Sequence, residues 1–143
     1  MSMTVHVDIV SAEFLVYSGS AAMVFAPAVM GEVGILPQHS PFLSKLVPGE
    51  VRVRNLNGEE DFFYVSGGLL EVQPHVVTIL ADTALRAKDL DEARALEAKE
   101  RALQLIKDRK SDIDYARIHA ELLEAIAQLK TIQSLRKKLK GRI

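Results

Sequence analysis

Residues 76–107 read VVTILADTALRAKDLDEARALEAKERALQLIK, and the hydrophobic pattern of the chain changes within this stretch. Up to Ala81 the apolar residues follow a strand pattern. After Asp82 the sequence is rich in Ala, Leu, Glu and Lys, with no Gly or Pro until Gly141. This second composition is typical of helices. The change predicts two unlike domains, residues 1–85 and residues 86–143.

The first domain has the features of β structure. Between Thr4 and Ala81 apolar residues alternate with polar ones, and Gly or Pro interrupts the pattern at short intervals, which indicates short strands joined by turns. Asn57-Gly58 predicts a type I′ hairpin that pairs Arg54 with the strand Glu59 to Val65. Gly67-Gly68 predicts a turn or bulge between two further strands. We expect a flattened β-sandwich or barrel of about 80 residues.

The second domain is predicted to be an antiparallel two-helix hairpin. The first helix should open at a capping box formed by Asp89 and Glu92 and continue to about Lys107, because side chains at this spacing satisfy free amides at a helix start. Ser111 and Asp114 have the same spacing and should open the second helix. We therefore expect two helices joined by a tight connection.

The apolar residues of the two helices predict a narrow contact between them. The stripe on the second helix consists of Ile118, Leu122, Ala125, Leu129 and Ile132. The stripe on the first consists of Ala93, Leu96, Leu103 and Ile106, interrupted by Lys99 and Glu100. Alanines bury little area, and at about 25 cal/mol per Å² this predicts a weak interface. The hairpin could therefore detach from its neighbours, although a permanently docked hairpin is the alternative.

Several classes of site are disfavoured by the residues themselves. The chain has no cysteine, which excludes a disulfide framework, a thiol nucleophile and a Cys-ligated metal site. The four histidines are scattered, so we expect no metal site, and the sequence has no nucleophile elbow, phosphate-binding loop or dinucleotide fingerprint. Residues 1–10 lack a secretory signal pattern, and no apolar run approaches a bilayer span. We expect a non-catalytic cytoplasmic protein that needs no cofactor and contacts other proteins.

Charge is divided unequally between the two domains. The chain up to Leu85 has nine acidic and three basic residues, whereas the rest has ten acidic and 15 basic. Five positive charges lie near the end of the chain, at Arg136, Lys137, Lys138, Lys140 and Arg142. No aromatic residue follows Tyr115, so nucleic acid is disfavoured as a target. An acidic protein surface is favoured, with a solvated tail as the alternative.

Residues 31–41, Gly-Glu-Val-Gly-Ile-Leu-Pro-Gln-His-Ser-Pro, are predicted to form a loop. It contains two glycines, two prolines, one acid and one imidazole. A stiffened loop loses little entropy when it binds, which would make it a good docking surface. A rigid connection between the sheets is the alternative.

Three ordered motifs give the chain a family resemblance over essentially its full length. They are residues 31–41, residues 64–74 (Tyr-Val-Ser-Gly-Gly-Leu-Leu-Glu-Val-Gln-Pro) and residues 77–95, which include Asp-Leu-Asp-Glu-Ala-Arg-Ala. In these motifs the chain resembles the epsilon subunit of bacterial F-type ATP synthase. The resemblance implies a sandwich followed by a helical hairpin, in agreement with the periodicity.

The resemblance also implies a function and partners. The chain would be a rotor component of the central stalk, on the cytoplasmic face of the bacterial inner membrane and attached to that membrane only through partners. Its sandwich would bind the gamma subunit and rest on the ring of c subunits. The ring-contacting loop of the family corresponds here to Gly31, Glu32, Gly34 and His39.

The helical hairpin would be the regulatory part of such a subunit. It would fold against the sandwich or extend toward the catalytic beta and alpha subunits, where its cations meet acidic residues and ATP hydrolysis is inhibited. The cations implied are Arg109, Lys110, Arg136, Lys137, Lys138, Lys140 and Arg142. Screening should weaken these contacts as salt rises.

A nucleotide-sensing role is the alternative function. Some members of the family bind ATP through a Leu-Asp-x-x-Arg-Ala motif, which is present here and includes Asp91 and Arg94. Those members also have arginines on the second helix, where this chain has Glu124 and Gln128. Because an acid repels a triphosphate, we expect weak ATP binding or none. Asp91 and Arg94 would then serve as a helix cap and an ion pair.

Overall fold

The computed structural model describes residues 3–108 and 112–140. Within them the chain forms ten strands, one 3₁₀ helix and two α-helices. The strands are β1 (Val5–Val10), β2 (Leu15–Ala21), β3 (Met23–Ala28), β4 (Gly31–Ile35), β5 (Phe42–Leu46), β6 (Gly49–Arg54), β7 (Glu60–Val65), β8 (Gly68–Val72), β9 (Val76–Ala81) and β10 (Ala84–Arg86). The helices are the 3₁₀ helix Ala87–Asp89, α1 (Glu92–Lys107) and α2 (Asp112–Lys140). The predicted order of a β-rich part followed by two helices is confirmed.

The strands form two packed layers. One layer has the order β10-β7-β6-β3-β4 and the other has the order β5-β8-β9-β1-β2. The layers join at a corner where Ala28 of β3 pairs with Leu46 of β5. Neighbouring strands run antiparallel, except that β1 runs parallel to β9. This architecture is the predicted flattened sandwich, nearly closed into a barrel.

Alternate side chains of both layers fill the core. Val7 and Ile9 come from one layer and Val51 and Phe63 from the other, and all four are 0% exposed. Strand geometry sends the intervening residues to the outer faces. The outer face of β6 and β7 is covered by α2, whereas the outer face of β8, β9 and β1 carries exposed side chains.

The turn between β6 and β7 differs from the prediction. The two strands pair as expected, but Gly58 has a φ of 84° while Asn57 does not have a positive φ, so the turn is not type I′. Instead the Oδ1 atom of Asn55 accepts hydrogen bonds from the amides of Asn57 (2.9 Å) and Glu59 (3.0 Å). This side-chain cap shapes the turn so that one positive φ suffices.

The prediction of a loop over residues 31–41 is wrong for its first half. Residues 31–35 form β4, which pairs antiparallel with β3 along its whole length. Val33 and Ile35 alternate with polar or small neighbours, a strand pattern that the two glycines obscured. The remaining residues are irregular and include Gln38, whose φ is 68°.

Helix α1 begins later than predicted, and the capping box formed by Asp89 and Glu92 is wrong. Asp89 belongs to the 3₁₀ helix, and Leu90 is extended with ψ 139°, which separates that helix from α1. The N-cap is Asp91, whose Oδ1 accepts a hydrogen bond of 3.2 Å from the Arg94 amide. The role of helix cap that we gave to Asp91 is thus confirmed.

The hairpin is docked, and α2 lies between α1 and the sandwich. It packs against β6, β7 and the 3₁₀ helix on one side and against α1 on the other. The predicted end of the first helix at Lys107 is confirmed. The proposed cap at Ser111 lies outside the described residues. In the described part of the chain, neither α-helix is long and apolar enough to cross a membrane.

The stripe predicted on α2 is confirmed, because all its members are buried or half-buried. The stripe predicted on α1 is wrong for three of its four members, while the fourth, Ile106, is half-buried. Leu96 and Leu103 are each 43% exposed and Ala93 is exposed, whereas Ala95 and Ala102 are buried. Small side chains let two helices approach closely, so the alanine face of α1 lies against α2 and the leucines point outward.

Candidate functional site

The docked helix α2 buries two opposite faces. One face is the stripe that packs on α1. The other, which we call the docking face, consists of Ala127, Thr131, Ser134 and Lys138, at spacings of four, three and four residues that place them on one side of a helix. Ala127 and Thr131 are buried. A helix covered on both sides must leave one of its two partners if the hairpin is to extend.

Two cross-strand neighbours of the sandwich receive the docking face. Glu50 of β6 lies opposite Tyr64 of β7, and both side chains point outward beneath α2. The Ser134 hydroxyl donates a hydrogen bond to the Glu50 carboxylate, and the Gln128 side-chain amide bonds with the Tyr64 hydroxyl. Burial raises the pKa of Tyr64 to about 12, so the phenol is neutral at physiological pH. Polar pairs therefore fix the position of α2.

Two cations hold the edges of the docked hairpin. The Arg136 guanidinium makes a two-pronged contact with the Glu92 carboxylate of α1. The Lys138 ammonium donates to the Glu60 carbonyl and lies 3.9 Å from Asp61 Oδ1. One cation thus ties α2 to α1, and the other ties α2 to the sandwich.

The structure separates the members of the predicted basic cluster. Arg136 and Lys138 have the internal partners just described, whereas Lys137 and Lys140 are exposed. The remaining three, Arg109, Lys110 and Arg142, lie outside the described residues. In the docked hairpin the cluster is therefore divided between contacts inside the chain and the solvent.

A cleft of about 690 Å³ opens between α2 and the sandwich. Its lining mixes both signs of charge, including the acids Glu32, Glu50 and Glu60 and the bases Arg52 and Lys130. Arg52 lies 3.0 Å from Glu32, 3.6 Å from Glu60 and 3.7 Å from Glu50, measured between charged atoms. One guanidinium is thus shared by three carboxylates.

The residues predicted to contact the ring lie on two consecutive segments of the chain. Gly31, Glu32 and Gly34 lie on β4, and Glu32 is ion-paired with Arg52. His39 lies beyond β4, where its Nδ1 is 2.7 Å from the Ser40 carbonyl. A contact of these four residues with the ring stays a prediction.

Asp91 and Arg94 of the proposed nucleotide motif are exposed, and neither lines the clefts between α2 and the sandwich. Asp91 caps α1, and the Arg94 side chain is exposed. On α2, Gln128 is engaged by Tyr64. Burial raises the pKa of Glu124, and the nearby carboxylates of Glu121 and Asp82 add to the effect. These neighbours provide no basic pocket for a triphosphate.

Sequence reasoning missed the polar residues of the docked interface. Glu50 and Tyr64 occupy strand positions that the alternating pattern assigns to the solvent side, and Ser134 lies off the apolar stripe of α2. A signal was present, since Thr131 and Ser134 give α2 a second face of small side chains opposite its apolar stripe. A helix with two such faces is suited to burial on both sides.

Comparison with known families accounts for both parts of the chain. The family model described as ATP synthase, Delta/Epsilon chain, beta-sandwich domain matches residues 4–87. The model described as ATP synthase, Delta/Epsilon chain, long alpha-helix domain matches residues 88–133. The two matches together run from the first strand into α2.

Curated relatives match most of the length of the chain. The ATP synthase epsilon chain of Nitrosococcus oceani is 66% identical over 139 residues, which cover 97% of this chain and 99% of the relative. That of Thioalkalivibrio sulfidiphilus is 63% identical over 138 residues, covering 96% and 98%. That of Nitrosomonas europaea is 61% identical over 133 residues, covering 93% and 95%.

Solved structures share the fold at low identity. A chain of the Euglena gracilis mitochondrial ATP synthase, from a structure of OSCP, F1 and c-ring, has a TM-score of 0.71 at 21% identity, covering 97% of this chain and 83% of that one. A chain of the Tetrahymena thermophila central stalk and c-ring has a TM-score of 0.59 at 14% identity, covering 90% and 96%. These solved structures share the fold, and the family models and curated relatives show that the chain belongs to the ATP synthase delta/epsilon chain family, as an epsilon-type, non-catalytic subunit.

Proposed function

We propose that the sandwich binds the gamma subunit and the ring of c subunits, while the hairpin moves between its docked position and an extended one. In the extended position the hairpin contacts the catalytic beta and alpha subunits and restrains ATP hydrolysis. The subunit then helps to couple proton flow to ATP synthesis, and it lies peripherally on the cytoplasmic face of the inner membrane.

The internal pairing of the hairpin cations carries this proposal. Arg136 pairs with the Glu92 carboxylate, and Lys138 contacts the Glu60 backbone carbonyl and the Asp61 carboxylate, so the docked form already contains an acidic partner for each of these cations. Exposed ion pairs of this kind are weak, because solvent screens them and long side chains lose entropy. An acidic surface on a catalytic subunit could replace these partners at little cost. Two positions of similar free energy are what a regulatory element requires.

The gamma subunit is proposed to bind the uncovered face of the second layer. Leu69, Leu80, Val10 and Leu15 follow one another across β8, β9, β1 and β2, on the face opposite the core. The three leucines are between 43% and 57% exposed. A contiguous apolar patch on a sheet is typical of a protein interface. This patch lies away from α2, so the hairpin can move while the sandwich stays attached.

The ring of c subunits is proposed to contact the tip of the β3–β4 hairpin. Met30 at this tip is 96% exposed, and Val29 is 54% exposed. Gly31 follows with a φ of 125°, a value that favours glycine, and it leads into Glu32. An exposed apolar tip on a short, paired hairpin is a stiff contact that loses little entropy on binding.

Truncation of the hairpin in the assembled enzyme tests the inhibitory role. The cut belongs after Leu90, because Arg86 donates to the Val16 carbonyl at 3.2 Å and Ala87 is buried, so both belong to the sandwich. We expect the truncated chain to bind gamma and the assembled enzyme to hydrolyse ATP several-fold faster. A chain that ends at Lys140 is the control for loss of the terminus alone. Unchanged hydrolysis with the truncated chain bound would contradict the inhibitory role.

A further inference from the structure

We propose that Glu50 makes docking of the hairpin depend on pH, because the docked form binds a proton at this carboxylate and rising pH favours release of α2. The proposal rests on the proposed function only in that the hairpin must be able to leave the sandwich. It concerns the signal that shifts the docking equilibrium.

The position of Glu50 is the first observation. Its side chain projects from the outer face of β6 and is 9% exposed, because α2 covers it. In the described part of the chain its Oε2 atom is buried and has no hydrogen-bond partner. An ionised carboxylate buried without full hydrogen bonding is costly, whereas the neutral acid is much less so. Docking of α2 creates this environment.

The charges that face Glu50 do not offset its burial. On its own strand Arg52 is 3.7 Å away, but that guanidinium also pairs with Glu32 of β4 and with Glu60 of β7. From α2, Lys130 attracts the carboxylate, while Glu32 repels it. Attraction and repulsion are therefore mixed at this site.

The other charged residues that line the cleft are also of both signs. Lys137 and Lys138 of α2 line it as well, as does Glu59, which directly precedes β7. Burial raises the pKa of Glu50, and the hydrogen bond from Ser134 with the charges of Arg52 and Lys130 reduces the shift without cancelling it. Desolvation by α2 thus outweighs the nearby positive charge.

The direction of the pH dependence follows from linkage. Lifting α2 exposes the carboxylate and returns its pKa toward the ordinary value, so the docked form holds a proton more tightly than the released form. Below the ordinary pKa both forms are protonated and docking is strongest. Docking then weakens as pH rises toward the raised pKa of the docked form, and above it levels off. One proton limits the change to about tenfold in the docking constant per pH unit.

A distance measurement on the isolated full chain tests the proposal. The chain has no cysteine, so paired labels can be introduced at the exposed alanines Ala12 and Ala120, outside the cleft. We expect the long-distance population to grow as pH rises. In Glu50→Gln, which is neutral at every pH, that population should stay small and constant. Glu59→Gln, at the same cleft, is the matched control and should behave like the parent. A parent-like pH response in Glu50→Gln overturns the proposal.

Direct titration of the Glu50 carboxyl by NMR covers the case in which the hairpin rarely opens. The pKa should be raised in the parent and return to the ordinary range in Ala127→Gln, where a bulky neutral side chain on the docking face displaces α2. Equal pKa values in the two chains, with α2 displaced, would also refute the proposal. Both experiments use the isolated chain. Their failure is therefore distinct from failure of the truncation experiment, which concerns inhibition in the assembled enzyme.

Discussion

Gly68 shows how a single residue sets the geometry of the sandwich. Its φ is 134°, and a Cβ atom there would collide with the Leu80 carbonyl oxygen of the neighbouring strand. Gly31 has a similar φ of 125°, but a Cβ atom there would meet nothing within 4 Å. At Gly31 a side chain would therefore meet only an unfavourable backbone conformation. At Gly68 it would meet that conformation and a collision with the neighbouring strand as well.

Alanine substitution at these glycines tests that distinction. Gly31→Ala should lower the free energy of unfolding by about 1–3 kcal/mol, the usual cost of such a backbone conformation. Gly68→Ala should cost more, above about 3 kcal/mol, because a strand must shift as well. Chemical denaturation of the two variants gives both values. Equal losses would mean that β8 and β9 are not packed as closely as described.

At the residue scale, the sequence predicted which glycines lie in a turn or bulge better than it predicted the type of each turn. Gly67-Gly68 was expected to be a turn or bulge, and both residues have positive φ. Asn57-Gly58 was expected to form a type I′ turn, but the side chain of Asn55 caps the amides instead. A dipeptide preference is local, and it cannot include the hydrogen bond of a neighbouring side chain.

At the scale of elements, the packing face of α1 was the least predictable feature. A prediction from hydrophobic periodicity gives most weight to large apolar residues, so Leu96 and Leu103 were expected to pack against α2. The structure instead buries Ala95 and Ala102 and leaves Leu96 and Leu103 exposed. The face of a helix depends on its partner, and sequence alone does not give the distance between two helices.

One substitution on the alanine face of α1 and one on its leucine face test which of the two packs against α2. Ala102→Leu should lower the free energy of unfolding by about 1–3 kcal/mol, since extra atoms must fit into a close helix contact. Leu103→Ala should cost about 0.5 kcal/mol or less, because this leucine is exposed and lies on the face of α1 that points away from α2. Thermal unfolding followed by circular dichroism measures both. A larger loss of stability in Leu103→Ala than in Ala102→Leu would indicate that the leucine face, which periodicity predicts, packs against α2.

At the scale of the whole molecule, the order of a β-rich part followed by two helices follows from sequence, because hydrophobic period and composition change together near Leu85. The docked position of the hairpin does not follow. It depends on polar pairs such as Tyr64 with Gln128 and Glu50 with Ser134, which join residues far apart in the sequence. The sequence predicts a weak contact between the two helices, and that weakness stays a prediction.

The movement of the hairpin is the central claim, and a distance measured in the assembled enzyme tests it most directly. Labels at Ala12 and Ala120 report whether α2 lies against the sandwich. We predict two populations, one with the short distance of the docked form and one with a longer distance, and we predict that hydrolysis falls as the longer population grows. A short distance at every rate of hydrolysis would contradict the account.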